Sequence, residues 1–221
     1  PANTALSPHV GHNLLDYLRF TIDNFENLPA LILFGKGNML TRHIKIEDLK
    51  SRLNSGVFAP IFSSDGVPNI KRVQYIDAGG WFCERNSDWY ASSKRHRYFT
   101  SLDSMGNFLF KNWISPDYIT FSPGACYLVE GARLRNVRIE TFECLTEILE
   151  YDFFPTEAYF VERILGGVLS LNLELKDEWK DLDNFKKQLN SLPDLSNRYV
   201  SGAGPLSGLK NFTINAVRSG R

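Results

Sequence analysis

Apolar residues recur along this chain in two rhythms. Three- and four-residue steps mark helices, and short unbroken runs bounded by turn residues mark buried strands. Leu14, Leu15, Tyr17, Leu18, Phe20, Thr21, Ile22 and Phe25 form one broad helical face, with Asn13 placed to cap it. Asn27-Leu28-Pro29 closes that helix, because the residue before a proline is pushed out of the helical region. Residues 30–34 then run apolar without a break, and Gly35-Lys36-Gly37-Asn38 follows where such a strand would end. Residues 46–53 read as a short amphipathic helix, and residues 56–69 as a loop with an Asp65-Gly66 turn. Residues 73–76 read as a short strand ending on Asp77-Ala78-Gly79-Gly80. Residues 81–98 look irregular, aromatic and basic.

The stretch from Ser115 to Ser170 is the most strongly patterned. A strand-like run at 118–121 meets a break at Pro123-Gly124, and a second run follows at 125–129. Ile139, Phe142, Leu145, Ile148 and Leu149 share one helical face. Thr156 is placed to cap a further helix carrying Tyr159, Phe160, Ile164, Leu165 and Val168. Residues 176–192 read as one more amphipathic helix, with Trp179, Leu182, Phe185 and Leu189 along its apolar side. This alternation predicts a single α/β domain over residues 1–200, its mixed central sheet flanked by helices. Residues 30–34, 73–76 and 125–129 are expected in that one sheet. Residues 201–221 open with a Gly- and Ser-rich connector and read as a linker or tail toward a following domain.

Composition narrows the partners. The 25 basic and 25 acidic residues cancel, which removes the main argument for a nucleic-acid partner. No apolar run approaches the roughly 20 residues of a membrane span, and no signal peptide is visible, so a cytoplasmic protein is expected. Cys83, Cys126 and Cys144 are odd in number and lack metal-ligand spacing, as reduced thiols do. The chain begins at Pro1 and reads as a piece of a longer polypeptide.

Several groups could carry chemistry. A helix, a strand and a glycine loop in that order form half of a nucleotide-binding α/β unit, which places Gly35, Lys36 and Gly37 near a phosphate. The P-loop spacing is absent. His9 and His12 flank Gly11, with Asn13 beside them; surface or capping roles are the alternative. Asp77 and Gly79 end a strand where a carboxylate or backbone N–H groups could meet a diphosphate, although a simple turn would look the same. No Asp-x-Asp lies at a strand end, so a divalent metal such as Mn²⁺ or Mg²⁺ has no obvious ligand pair. Arg95 and Arg97, in the run Lys94-Arg95-His96-Arg97, have the fork geometry that matches phosphate oxygens. Glu157 and Glu162 lie among apolar helix positions just after the Pro123-Gly124 turn, where a carboxylate could act as a general base. A first-turn acid and a surface ion pair with Arg163 are their alternatives. Trp81, Trp89, Tyr90 and Trp113 lie in poorly periodic stretches, as aromatic residues of a sugar cleft would.

Two blocks also resemble a glycosyltransferase-like family of fungi, algae and large algal viruses. One runs from His9-Val10-Gly11-His12-Asn13 through Tyr17-Leu18, Asn24-Phe25-Glu26-Asn27-Leu28-Pro29 and Phe34-Gly35 to His43. The other is Ser122-Pro123-Gly124-Ala125-Cys126-Tyr127-Leu128-Val129 followed by Glu162-Arg163. Together they cover about half the chain. The chain departs from the family at His12-Asn13, where Arg-Glu is usual, and at Lys36, where the family has His. The resemblance implies a GT-A-like fold and sugar transfer from a nucleotide diphosphate donor to a glycan hydroxyl. It implies a UDP-sugar as donor, with UDP-rhamnose one such deoxysugar, and Glu162 as the base. A virus-encoded member would act in the host cytoplasm. A degenerate transferase, binding nucleotide or glycan without catalysis, is the alternative that the missing Asp-x-Asp favours.

Overall fold

The computed structural model describes residues 12–63, 74–77, 79–86 and 96–195. Helix α1 (His12–Asp23) leads through a 3₁₀ turn (Phe25–Asn27) into β1 (Leu31–Phe34). Then come α2 (Met39–Arg42), α3 (Ile46–Ser55), β2 (Ala59–Pro60), β3 (Gln74–Ile76) and β4 (Phe82–Arg85). The second half holds α4 (Leu102–Leu109), β5 (Tyr118–Phe121), β6 (Tyr127–Glu130), α5 (Gly131–Arg135), α6 (Ile139–Leu149), α7 (Ala158–Leu169) and α8 (Leu182–Ser191). The expected mixture of helices and strands is therefore present.

The expected single mixed sheet is not. The strands form two three-stranded antiparallel sheets, ordered β1-β6-β2 and β3-β4-β5. Residues 31–34 and 127–130 do share a sheet, pairing Leu31 with Glu130 and Phe34 with Tyr127. Residues 74–76 belong to the other sheet, against β4. The reason is connectivity. A parallel pair needs a crossover of a dozen or more residues. Here β3 and β4 are joined by a tight turn, and β5 reaches β6 through Ser122–Cys126 alone. The segment 81–98, expected to be irregular, supplies the central strand β4.

Strand β6 is the seam of the core. Tyr127 and Val129 face the main cluster, which includes Leu15, Met105, Phe142, Phe160 and Phe185. Cys126 and Leu128 face a smaller cluster with Ile44, Leu49 and Ile61. Period-two alternation with both faces buried explains why this strand reads as a continuous apolar run. Helix α7 packs along β5 and on the turn between β5 and β6, and α1 packs on α6.

Helix ends also depart from expectation. Asn13 lies inside α1 rather than capping it, because its amide is used elsewhere. Thr156 does not cap α7; Glu157 is the boundary residue and makes no capping bond. The helix expected over 176–192 is broken: a 3₁₀ turn (Asp177–Lys180) precedes α8, whose cap is Asp181, accepting from the backbone of Asp183 and Asn184 at 3.0 and 3.1 Å. Trp179, Phe185 and Leu189 are buried all the same. The linker expected at 201–221 lies outside the described residues. Among the described residues no helix is long and apolar enough to cross a membrane.

Tyr127 ties the passage between the sheets to the core. Its ring is fully buried and its hydroxyl accepts the Ser122 N–H at 3.0 Å. Tyr127→Phe keeps the ring and strands that N–H. A loss of about 1–3 kcal/mol in unfolding free energy is expected from urea denaturation. Unchanged stability would mean that the amide finds another acceptor.

Candidate functional site

The passage from β5 to β6 is an unusual piece of backbone. Gly124 has φ 80° and Ala125 has φ 53°, two successive left-handed residues. Glycine adopts such a φ without strain, and Ala125 is held there at the cost of some. The amide thereby turned outward, Gly124 N–H, is bound by the Glu162 carboxylate of α7 through Oε1.

Three other parts of the chain converge on the same glycine. A Cβ on Gly124 would lie 3.1 Å from His43 Nε2, 3.1 Å from Lys36 Cε and 3.3 Å from Lys36 Nζ. From α1, Asn13 donates its Nδ2 to the Gly124 carbonyl at 3.1 Å. One turn on, Tyr17 places its hydroxyl near Asn13 and the Cys126 thiol. Among the described residues neither the Tyr17 hydroxyl, Asn13 Oδ1 nor Ser122 Oγ has a well-formed hydrogen bond, although all three are buried.

The Glu162 side chain keeps 17% of its surface exposed, enough to reach a bound molecule. Its second oxygen takes Arg163 Nη1 at 3.3 Å. Arg163 is in turn paired with Glu84 at 2.5 Å, both side chains almost wholly buried, and its guanidinium lies 4.6 Å from the centre of the Phe121 ring. One guanidinium therefore serves two carboxylates and holds Glu162 at the turn.

Local charge tunes the neighbours. Burial, with Lys36 and Arg42 nearby, lowers the His43 pKa to about 4, so the imidazole is neutral at neutral pH. Burial raises the Cys126 thiol above its ordinary value, with Glu162 adding to the shift and Lys36 opposing it. The thiol therefore stays protonated and is no nucleophile. Burial likewise raises Tyr17 and Tyr127.

The residues singled out from sequence divide into groups. Asn13, Lys36 and Glu162 meet at Gly124. Gly35 lies against Met39 Sδ, 2.9 Å from where its Cβ would be, and Gly37 is open to solvent. Asp77 and Gly79 form the β3–β4 turn: Asp77 Oδ1 accepts the N–H groups of Gly79 and Trp81 at 2.8 and 2.9 Å. Among the described residues no group of three His, Cys, Asp or Glu is arranged to hold a metal ion. All three cysteines are buried and free. Arg97 stacks its guanidinium 5.1 Å from the Tyr98 ring and 5.3 Å from the Tyr151 ring. His12 opens α1. His9, Gly11, Arg95, Trp89 and Tyr90 lie outside the described residues.

Glu157 has a different occupation from Glu162. It is fully buried, and Oε1 accepts the backbone N–H groups of Arg97, Tyr98 and Phe99 at 2.9, 2.7 and 3.4 Å. Oε2 accepts the Tyr151 hydroxyl. This carboxylate fastens a loop to the start of α7 and has no access to a substrate hydroxyl, which corrects its reading as a base.

Sequence spacing understated His43, Tyr17, Ser122 and the Glu84–Arg163 pair. His43 lies 81 positions from Gly124 in the chain, and no local period links them. The resemblance did include His43 and Gly124, and that was the one signal pointing to the pair.

Two outcomes follow. Glu157→Ala leaves three backbone donors and a phenol without an acceptor. A loss of more than about 3 kcal/mol is expected in denaturant titration, since each stranded donor costs about 1–3 kcal/mol. A fall under 1 kcal/mol, of the size an exposed acid gives, would contradict the clamp. For His43 the folded pKa lies below the ordinary 6.5. Between the two values the unfolded chain binds the extra proton, so stability rises with pH there. The contribution is complete above about pH 6.5 and is lost as pH falls through about 4. The melting temperature of the wild type should therefore fall more steeply on acidification than that of His43→Gln. Parallel curves would show that His43 titrates normally.

No protein-family profile, no curated protein and no solved structure matches this chain.

Proposed function

We propose that the chain is a glycosyltransferase of GT-A-like type. It moves a sugar from a nucleotide diphosphate donor, UDP-rhamnose among the candidates, to a glycan hydroxyl. One observation carries this reading: at a single left-handed turn, a partly exposed carboxylate is held within the same small space as an ammonium, a neutral imidazole and a carboxamide. Transfer requires this pairing of functions. A base takes the acceptor proton as the acceptor oxygen bonds to the anomeric carbon. Positive charge and donors stabilise the diphosphate as its bond to that carbon breaks. Glu162 is the base. Lys36 Nζ neutralises the departing phosphate oxygens, and His43 and Asn13 supply hydrogen bonds.

Position on a helix, braced by Arg163 and Glu84, fixes the carboxylate relative to the turn, as proximity catalysis demands. A second reading, a non-catalytic nucleotide- or glycan-binding module, is favoured by one fact: Asp77 is spent on its own turn.

Glu162→Gln separates the two. Glutamine preserves size and keeps a carbonyl for the Gly124 N–H, yet it cannot take a proton. UDP release from a panel of UDP-sugars and glycan acceptors should fall by roughly a hundred- to ten-thousand-fold. Calorimetric affinity for UDP should hold, whereas Lys36→Ala should weaken it. Release at the wild-type rate in the Gln variant would remove Glu162 from the chemistry. UDP binding with no release by the wild type under any donor would favour the module.

A further inference from the structure

Between β5 and α7 a cleft of about 310 Å³ opens to solvent, within the range of roughly 300–1,000 Å³ found for small-molecule sites. Two indoles, Trp81 and Trp113, line it together with Tyr118. Polar groups of Thr120, Ser170 and Asn172 share its surface.

The indoles are held from behind. Trp113 Nε1 donates to Asp103 Oδ1 at 2.8 Å, and its ring lies on α4 where a Cβ at Gly106 would come within 2.2 Å of it. Glycine inside a helix costs about 1 kcal/mol relative to alanine. This glycine is what lets the ring lie against the helix. Trp81 packs against Phe58 and Tyr127, with centroids 5.3 and 5.9 Å away, and its far edge approaches Gly166 of α7. Both rings therefore present fixed walls, with little conformational entropy left to lose on binding.

Charge selects the ligand class. Among the described residues Arg163 is the one charged residue lining the cleft, and its guanidinium is already shared by Glu84 and Glu162. The cleft thus offers no surplus cation to an acidic ligand. Thr120 Oγ1 is already engaged with Cys83 Sγ at 3.5 Å, so an aliphatic ligand would cover Ser170 and Asn172 without pairing them, a penalty that hydroxyl-bearing ligands avoid. A cleft lined by aromatic rings and by neutral hydrogen-bonding residues suits a sugar ring, which has apolar C–H faces and a hydroxyl edge.

We propose that this cleft binds an uncharged glycan, its terminal ring held between Trp81 and Trp113, as the acceptor for the transfer. The acceptor role rests on the glycosyltransferase reading; the glycan binding does not. Arg163 connects the two places, since it lines the cleft and also contacts Glu162.

Ligand-observed saturation-transfer NMR on the full chain tests this with cellotetraose, xylotetraose and mannotetraose as neutral probes and trigalacturonate as the acidic one. At least one neutral tetrasaccharide should show saturable transfer to its ring protons, and trigalacturonate should not. Trp113→Phe and the exposed Asn172→Ala should each weaken binding by roughly tenfold, as loss of a central contact does, with UDP affinity unchanged and, for Asn172→Ala, the melting temperature unchanged too. Saturable binding of none of the neutral probes, preference for trigalacturonate, or full affinity in both variants would overturn the proposal. Glycan binding that depends on Trp113 in a chain that does not bind UDP would support the cleft and discard the transferase. UDP binding without glycan binding would do the reverse.

Discussion

The structure depends on how one amide is satisfied. Chain passage from the second sheet to the first needs a sharp reversal at Ser122–Cys126, and Gly124 and Ala125 achieve it in the left-handed region. Such a reversal turns N–H groups away from any strand partner, and a buried N–H without an acceptor is rarely tolerated. Glu162 takes that of Gly124, and the Tyr127 hydroxyl takes that of Ser122. The first bond pins α7 to the turn and the second pins the turn to the core. Because Gly124 has no Cβ, Lys36 and His43 can close over it. Fold and site thus share the same few atoms.

Helix α7 shows how surroundings divide two carboxylates on one element. Five residues separate Glu157 from Glu162, about 7.5 Å along the axis. At Glu157 four donors and complete burial spend the group on holding residues 97–99. At Glu162 one amide and one shared guanidinium hold the group while part of it stays open. The Arg163–Glu84 pair behind it is almost fully buried, an arrangement in which losing either partner costs about 3–5 kcal/mol because the other charge is stranded. Rigidity at the turn is therefore built on an ion pair whose own contribution to net stability is small, but which fixes where Glu162 points.

Much of the fold was legible because it is local. The helical faces of α1, α6 and α7 follow from apolar spacing, and β1, β5 and β6 from short apolar runs, since each pattern is set within a dozen residues. Strand β4 was missed because Phe82-Cys83-Glu84-Arg85 carries two charges, and one of them, Glu84, is buried only because Arg163 arrives to neutralise it. Residues 176–192 looked like one helix because the apolar face continues through both pieces, while Asp181 breaks it by bonding the backbone ahead.

On its own the sequence determined the helical faces of α1, α6 and α7 and the extended runs of β1, β3, β5 and β6, that Pro123-Gly124 is a sharp break, that Lys36 follows an apolar strand and that Glu162 lies within an apolar helix. These follow from backbone preferences and from periodicity, which act between neighbours in the chain. Only the tertiary structure decided that the strands pair antiparallel in two sheets, that Asn13 serves Gly124 instead of its own helix, that Asp77 is a turn and Glu157 a clamp, and that His43 belongs beside Lys36. Those outcomes turn on which buried donor meets which acceptor across tens of residues, and no local pattern encodes that choice.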